Sequence, residues 1–494
     1  MHQEMYFTTT MLTFIFFLAY ISIIIFLSLI ARTKKQNYNL PPGPSLFSIM
    51  LNIFELAKKP QYSLAQISKN HGPIMHIKLG QISTIIISSP NIAQEVLQTH
   101  DRLFINRPIP EAVQVLGHDH FSLPFMPSSN LWRDLRKLCK NHLFSKKTLD
   151  ASKELRCKKL QQLLSDIDKS RLIGEVVDIE KAAFKTSLNF MSNTFFSMDF
   201  VNSQGEIDEY KDIVENLIRV IGTPNLVDFF PFLRMLDPQG IRRISTTYAE
   251  KLLQIIDSYI SKRLELREGE NYVTNDDVLD TLLNISQEDG QKMDKAQIRH
   301  LFLDLFVAGT DTTSYAIERA MAELVHNPHA MLKAKEELEQ IIGIGNPIEE
   351  SDITRLPYLQ AVVKETLRLH PSAPLLLPRK ANVEVKVHGY TIPLGAQVII
   401  NEWAMGRNPN IWENPNLFSP ERFLGSEINF YKGQNFQLTP FGSGRRMCPG
   451  MPLAIRTLHM MIGSLINFFD WKLENGDRDI DQPLRAIPFR VNKM

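Results

Sequence analysis

One cysteine lies in a glycine-rich loop whose residue types constrain both its backbone and the helix that follows it. Cys448 precedes a proline, so helical geometry is disfavoured at the cysteine, and that proline suits the first position of the apolar helix predicted over 453–469. The sulfur is therefore expected near a helix N-terminus, whose partial positive charge favours thiolate over thiol. Gly442 and Gly444 let the backbone fold tightly and direct amides at the sulfur, and Phe441 would cover one side. A thiolate held by amides and shielded from water suits an iron–thiolate bond.

Three other interpretations of this cysteine stay open at this point. A lone cysteine in a glycine-rich turn is by default a buried structural residue. Zinc is disfavoured because no second cysteine or histidine stands nearby with ligand spacing, and a cysteine hydrolase would need a histidine partner that the sequence does not indicate. The chain has only three cysteines in 494 residues (Cys139, Cys157 and Cys448), which excludes a disulfide framework and suits a reducing compartment.

An uncharged segment stands at the start of a chain that is otherwise balanced in charge. The 55 Lys and Arg residues against 54 Asp and Glu give a net charge of +1, so nothing attracts the chain as a whole to nucleic acid. Met5–Ala31 contains no charged residue, and roughly 20 apolar residues cross a bilayer as a helix. A cleaved signal peptide would need a basic start and a small-residue cleavage site, whereas this segment follows Glu4 and ends in Arg32, Lys34 and Lys35. We expect a membrane anchor over 1–31, a basic and proline-rich hinge over 32–44, and a cytosolic domain over 45–494.

The remainder of the chain is predicted to be mainly α-helical with a small β-rich subdomain. Two runs rich in β-branched residues, 73–79 and 83–89, predict a hairpin, and 383–400 predicts a further β region. There is no internal repeat and no clear linker, so one large domain is expected. The clearest periodicity predicts helices over 180–196, 209–221, 248–266, 294–326, 329–342 and 356–370.

The loop around Cys448 resembles the heme-binding loop of the cytochrome P-450 superfamily. Its pattern is Phe441, two residues, glycine, one residue, Arg446, one residue, Cys448, one residue, Gly450. The resemblance implies the cytochrome P-450 fold and a heme b whose axial ligand is the thiolate of Cys448, with Gly444 also in the loop. It further implies a monooxygenase that takes electrons from NADPH through a membrane-bound reductase.

A second motif lies in the middle of the long helix predicted over 294–326. Ala308-Gly309-Thr310-Asp311-Thr312-Thr313 joins glycine, acid and hydroxyl residues, all poor helix formers, and predicts a local defect in that helix. In the family this acid–alcohol pair lines the oxygen pocket. The resemblance therefore implies that Thr312 hydrogen-bonds the bound oxygen and that Asp311 relays protons from solvent.

Further charged residues match family motifs. Glu365 and Arg368 stand at i and i+3 on one helix, and Pro420-Glu421-Arg422-Phe423 supplies the arginine that braces this pair in the family. Arginine suits carboxylates, so the resemblance also implies contacts with the heme propionates. The residues implied there are Trp132, Arg136, Arg446, Arg379 and Arg107.

Within the superfamily, the chain is most similar to plant microsomal members of the geraniol 8-hydroxylase type, which implies a single-pass protein of the endoplasmic reticulum membrane. The implied substrate is a small apolar plant metabolite, above all a monoterpenoid alcohol such as geraniol, and the pocket residues implied are Ala308, Leu375, Leu376 and Ile487. A basic face is expected to receive the acidic reductase and to lose affinity with added salt. Its residues are Arg133, Lys137, Lys140, Lys146 and Lys147.

The chain departs from the family pattern in two places. Arg319 follows Glu318 where the family usually has tryptophan, and the segment 475–482 is shorter than its usual counterpart in a hairpin that touches substrate. Two alternatives to a geraniol hydroxylase therefore stay open. One is a monooxygenase of another specialised metabolite (an alkaloid, diterpenoid or phenylpropanoid), and the other is a heme-binding relative with little turnover.

Overall fold

A computed structural model describes residues 20, 38–51, 53–200, 204–269, 272–275, 277–288, 293–428, 430, 433–474 and 484–490. Apart from Tyr20, the predicted anchor over 1–31 lies outside these residues, as does the short segment 475–482. Within the described part of the chain, no helix is both long enough and apolar enough to span a membrane.

Helices make up most of the described chain. Shorter 3₁₀ and π turns connect several of them, including the 3₁₀ turns Glu111–Val113, Val115–His120 and Gly444–Arg446. The α-helices are α1 (Leu46–Leu51), α2 (Ile53–Lys58), α3 (Pro60–His71), α4 (Pro90–Gln94), α5 (Asn130–Leu138), α6 (Lys146–Ala151), α7 (Lys153–Leu172), α8 (Ile179–Phe196), α9 (Gln204–Gly222), α10 (Leu226–Phe229), α11 (Ile241–Arg267), α12 (Val278–Glu288), α13 (Lys295–His326), α14 (Pro328–Ile341), α15 (Pro357–Leu369), α16 (Glu402–Met405) and α17 (Met451–Phe468).

The described strands form three small sheets. They are β1 (Ile74–Leu79), β2 (Ile82–Ile87), β3 (Val177–Asp178), β4 (Arg379–Lys380), β5 (Val385–Val387), β6 (Tyr390–Ile392), β7 (Gln397–Ile400), β8 (Phe469–Leu473) and β9 (Arg485–Arg490). The first sheet has the order β1-β2-β7-β4, with β2 parallel to β7 and the other pairs antiparallel. The second sheet has the order β3-β9-β8, and β5 and β6 form a separate antiparallel pair.

Helix α13 is the central element of the core. It packs against α8, α11, α15 and α17, and its Phe302 and Phe306 are fully buried. Asp294 caps its start by accepting a hydrogen bond from the amide of Gln297, a contact that stabilises a helix by about 1 kcal/mol. At Gly309 an added Cβ would lie 2.5 Å from the sulfur of Met191 on α8, so a larger residue there would require this flexible side chain to move.

Most predicted elements are confirmed, and two details of the prediction are wrong. The hairpin, the third β region and the six predicted helices are all present. The defect predicted at 308–313 does not interrupt α13, because the hydroxyls of Thr310, Thr312 and Thr313 donate to carbonyls one turn earlier while the helix continues. The helix after Cys448 begins at Met451, so the proline beside the cysteine precedes the helix rather than opening it.

Candidate active site

A cavity of about 2500 Å³ lies between α13, the loop of Cys448 and the residues 107–125. It exceeds by more than twofold the roughly 300–1,000 Å³ typical of a small-molecule pocket, which leaves room for a large planar cofactor together with a substrate. Most of its lining residues are apolar. The predicted site residues that line it are Arg107, Arg136, Ala308, Thr312, Leu375, Leu376, Arg379, Phe441, Arg446, Cys448 and Gly450.

The sulfur of Cys448 faces this cavity. It is deep in the molecule yet accessible, because the cavity opens in front of it. The amide of Cys448 donates to the carbonyl of Phe441 at 3.0 Å, which closes the loop, and the Phe441 ring lies 5.4 Å from that of Phe430. Gly444 does not line the cavity. It has φ of 70°, and an added Cβ would lie 2.3 Å from the carbonyl oxygen of Leu97, so only glycine fits there.

Without a bound metal, burial opposes the thiolate that the place of Cys448 before a helix favours. Burial raises the pKa of the thiol above its ordinary value of 9.0, and this effect outweighs the amides of Gly450 and Met451 and the charge of Arg136, which lower it. A cation bound at the sulfur would reverse the balance, because a coordinating thiol is deprotonated by its metal.

Four arginines form a positive cluster on the cavity wall. Burial is the first cause that lowers the pKa of Arg107, Arg136, Arg379 and Arg446, with values of about 10 for Arg379 and about 9 for Arg446. Repulsion by other arginines of the cluster further lowers the pKa of Arg107, Arg379 and Arg446. Asp101 is the nearby acid, 3.8 Å from Arg379.

Backbone carbonyls hold the cluster in place. Arg446 donates to the carbonyls of Ile105 at 2.8 Å, Leu123 at 3.1 Å and Met126 at 2.6 Å. Trp132 does not line the cavity. Its ring lies 4.2 Å from the guanidinium of Arg446, and its indole N–H donates to the carbonyl of Leu123 at 3.2 Å, so it orients Arg446 from behind.

The site fits a heme. Among the described residues, Nη1 of Arg379 and Nε of Arg107 are buried with no hydrogen-bond partner, so the cluster has both unused donors and excess positive charge. Two propionate carboxylates would meet both needs. The sulfur of Cys448 is accessible from the same cavity, and a bound metal would offset the burial that raises its pKa.

Thr312 and Asp311 are adjacent in sequence but face opposite ways. Thr312 lines the cavity, and its hydroxyl donates to the carbonyl of Ala308 at 2.6 Å. Asp311 instead meets Glu180 and Glu215, and the carboxylate oxygens of the three acids lie within 4.8 Å of one another. Burial first, and then these two acids, raise the pKa of Asp311 to about 6, while Lys211 opposes the shift. Thr312 therefore lies at the cavity, and Asp311 lies in a cluster of acids.

Glu365, Arg368 and Arg422 form a buried network, as their motifs imply. Both carboxylate oxygens of Glu365 accept from Arg368, at 2.7 and 2.8 Å, and one also accepts from Arg422 at 3.0 Å. Arg368 further donates to the carbonyls of Pro415 at 2.7 Å and Leu417 at 3.2 Å. The network therefore ties α15 to the segment that leads to the Cys448 loop.

The substrate wall agrees with the prediction at three of four positions. Ala308, Leu375 and Leu376 line the cavity, and Leu376 has φ of 47°, an unusual value for a branched residue that indicates local strain. Ile487 is not among the described residues that line this cavity, and its contact with substrate stays a prediction. It lies in β9, which pairs with β8 and β3 and contacts α7. The departure at Arg319 is accommodated by stacking on Tyr315 at 5.1 Å.

The sequence did not indicate one buried acid that supports the loop. Glu402 accepts from the amide of Thr439 at 2.6 Å and from its hydroxyl at 2.7 Å, directly before the loop of Cys448. Burial raises the pKa of Glu402 to about 7. The only signal in the sequence was that Glu402 closely follows strand β7. Its partner Thr439 lies 37 residues away and follows no local pattern.

Comparison with known proteins identifies the family. Residues 41–489 match the sequence profile described as cytochrome P450. The chain is 46% identical to geraniol 8-hydroxylase of Catharanthus roseus, over 97% of this chain and 99% of that protein. It is 45% identical to ferruginol synthase of Isodon rubescens, over 93% and 96%, and 45% identical to drimenol monooxygenase of Persicaria hydropiper, over 93% of each. The chain therefore belongs to the cytochrome P450 family of heme-thiolate monooxygenases.

Proposed function

We propose that this protein hydroxylates a small apolar terpenoid alcohol, with geraniol as the first candidate. The observation that carries this proposal is a largely apolar cavity in which Ala308, Leu375 and Leu376 share one space with Cys448. Such a wall binds hydrocarbon and excludes water from the reacting carbon. Similarity to a geraniol 8-hydroxylase over 97% of the chain supports this choice of substrate class.

Within this proposal, the loop and the arginine cluster hold the cofactor. The sulfur of Cys448 would bind the heme iron, Arg107, Arg136, Arg379 and Arg446 would receive the propionates, and the Glu365 network would brace the loop. A heme bound there supplies reductive activation of dioxygen and insertion of one oxygen atom into a substrate C–H bond.

Thr312 and Asp311 deliver protons to the cavity. The hydroxyl of Thr312 stands at the cavity surface, where it donates or accepts a proton, and Asp311 with a pKa of about 6 exchanges protons with Glu180, Glu215 and solvent. Asp311→Asn should therefore lower the product formed per NADPH consumed while heme content stays normal. An unchanged ratio would remove Asp311 from the proton path.

NADPH electrons arrive through a membrane-bound reductase that docks on the basic face. Arg133, Lys137, Lys140, Lys146 and Lys147 are all exposed, and they belong to α5, the turn after it and α6. We expect Lys140→Glu to slow heme reduction by the reductase and to weaken its dependence on salt. Lys262→Glu, an exposed lysine on α11, is the matched control. Equal rates in both variants would place the docking surface elsewhere.

The membrane arrangement belongs to the same proposal. Residues 1–31 anchor the protein in the endoplasmic reticulum membrane, 32–44 form the hinge, and 45–494 form the catalytic domain on the cytosolic side. A glycosylation tag fused to the C-terminus should stay unmodified in microsomes. Its modification would place the domain in the lumen.

The substrate is tested with microsomes that contain the full chain and a plant reductase. NADPH is added with a panel of monoterpenoid, sesquiterpenoid and diterpenoid substrates, and products are identified by mass spectrometry. Hydroxylated geraniol, reduced in yield when Ala308→Leu fills the cavity, is the expected result. Turnover of larger terpenoids alone would favour the activities that the names ferruginol synthase and drimenol monooxygenase describe. No oxygenated product, with a normal heme spectrum, would favour a heme protein with little turnover.

A further inference from the structure

Two histidines and an aspartate tie the loop 115–123 to α13 at the edge of the cavity. Nε2 of His118 lies 3.1 Å from Oδ1 of Asp304, and Nδ1 of His118 lies 3.0 Å from Nδ1 of His300. The ring of Phe121 stacks on His300, with centroids 5.1 Å apart and planes at 8°. His118 and Asp304 both line the cavity, so these contacts fix part of its wall.

The donors and acceptors among Asp304, His118 and His300 determine where the protons of this cluster lie. Asp304 accepts from the amide of Leu123 at 2.7 Å and from the hydroxyl of Ser122 at 3.1 Å, so it serves as the acceptor in this arrangement and Nε2 of His118 is the donor to it. The contact between the two Nδ1 atoms then holds one proton, carried by either ring. A second proton there would set two N–H donors against each other.

Asp304 faces His118, whereas the ring of His300 contacts His118 and Phe121, so a second proton on His300 meets no acid in these contacts. His300 is 4% exposed, and Arg299 beside it pairs with Asp257 of α11 at 3.3 Å. On the loop itself, Asp119 lies 3.9 Å from the exposed His120. Burial first, and then His118 and Arg299, lower the pKa of His300 from 6.5 to about 3.

Backbone strain directly before His118 indicates that the loop needs these contacts. Leu116 has φ of 55° and Gly117 has φ of 69°, both in the left-handed region. Such a conformation is strained at a branched residue and persists only where the surroundings enforce it. Leu116 is 41% exposed and lines the cavity, so its own packing does not enforce the bend.

We propose that Asp304, His118 and His300 form a positioning latch that holds the loop 115–123 as a wall of the substrate cavity and releases it when the buried ring of His300 takes up a second proton. The latch itself does not depend on which substrate is bound. Its effect on substrate orientation rests on the proposed function. His300 is a positioning residue, because it acts on the cavity through His118.

The size of the pH effect on the latch follows from the difference between the pKa of His300 in the latched loop and in the released loop. In the latched loop its pKa is about 3, and in the released loop it returns to the ordinary 6.5. A group whose pKa is lowered in one state favours that state at high pH, so the latch is fully favoured above about pH 6.5 and weakens as the pH falls towards 3. Between about pH 7.5 and about pH 5.5, the equilibrium constant for release rises about tenfold.

The test is hydrogen exchange of the heme-loaded full chain in lipid nanodiscs, without substrate, read by mass spectrometry. After correction for the intrinsic effect of pH on exchange, amides in 115–123 should open about tenfold more at about pH 5.5 than at about pH 7.5. His300→Asn keeps a donor towards His118 but does not titrate, so its opening should be independent of pH. His118→Phe should be open at both pH values. His120→Gln, a change at an exposed histidine of the same loop, should match the wild type.

Two outcomes would overturn the latch. One is a pH step in His300→Asn as large as in the wild type, and the other is undiminished protection of 115–123 in His118→Phe. A carbon monoxide difference spectrum checks that each variant is folded and heme-loaded. With geraniol present, a broader set of hydroxylation positions in His118→Phe is also expected. If geraniol is not a substrate, the exchange experiment still decides the latch, so the two proposals fail separately.

Discussion

Replacing Glu365 by glutamine removes the charge at the centre of the network that ties α15 to the segment before the Cys448 loop. Glu365 is fully buried and Arg368 is 1% exposed, so no water replaces the lost carboxylate. The amide N–H₂ of glutamine would face the N–H groups of Arg368, donor against donor. One guanidinium would thus stay buried and charged without its counterion.

Breaking a buried ion pair on one side costs about 3–5 kcal/mol. The entropy of unfolding is about 2.1 cal/mol/K per residue, so the roughly 450 residues from 41 to 489 give about 0.9 kcal/mol/K. Glu365→Gln should therefore lower Tm by about 3–5 °C and reduce the heme-loaded fraction, since the network positions the segment that carries the loop.

Thermal unfolding followed by circular dichroism, together with heme content per protein, measures both effects. Glu427→Gln, the same change at an exposed acid in the segment that leads to the loop, is the matched control and should unfold like the wild type. If Glu365→Gln unfolds with the control, the buried pair contributes nothing measurable, and the reasoning from its geometry is refuted.

Three further changes test the loop, the long helix and the buried acid. Gly444→Ala should abolish heme loading because its Cβ meets the backbone of Leu97. Gly442 also has positive φ but has open space around it, so Gly442→Ala should lower the free energy of unfolding by only about 1–2 kcal/mol. Equal heme spectra in the two variants would contradict this. Asp311 has a pKa raised from 3.8 to about 6, so it favours folding at low pH, and that contribution is lost as the pH rises from 3.8 through about 6. Asp311→Asn should therefore be more stable than the wild type above about pH 6, by up to about 3 kcal/mol, with the difference shrinking towards about pH 4; a constant difference across that range would show an unshifted acid. Glu402→Gln should keep heme and gain stability relative to the wild type as the pH rises from 4.5 to about 7, with a constant difference at higher pH, and a loss that grows with pH over that range would contradict the burial of an acid with a raised pKa.

Local sequence patterns were sufficient for most elements, and a resemblance to a known family was needed for the centre of the site. The spacing from Phe441 to Gly450 carries that resemblance and implied the loop that brings Cys448 to the cavity, whereas apolar periodicity predicted α13 within a residue. These predictions succeed because each depends on residues close together in the chain, where proline, glycine and helical period act directly on the backbone.

Features that depend on burial or on distant contacts could not be predicted in this way. Burial raises the pKa of the Cys448 thiol in the absence of a metal, and it is set by packing that the sequence does not indicate. The pairing of β9, which carries Ile487, with β8 and β3 likewise joins separate parts of the chain. The contact of His118 with Asp304 joins residues 186 positions apart, and no period or spacing in the sequence indicates it.

The carbon monoxide difference spectrum of the reduced full-length protein in membranes tests the central claim most directly, in the wild type, Cys448→Ser and Cys157→Ser. The claim is that Cys448 binds the heme iron through its thiolate and that the arginine cluster binds the heme propionates. The wild type and Cys157→Ser should both give the spectrum of a thiolate-ligated heme, and Cys448→Ser should lose it. The same thiolate spectrum in Cys448→Ser would contradict the assignment of the iron ligand and, with it, the proposed chemistry of the cavity.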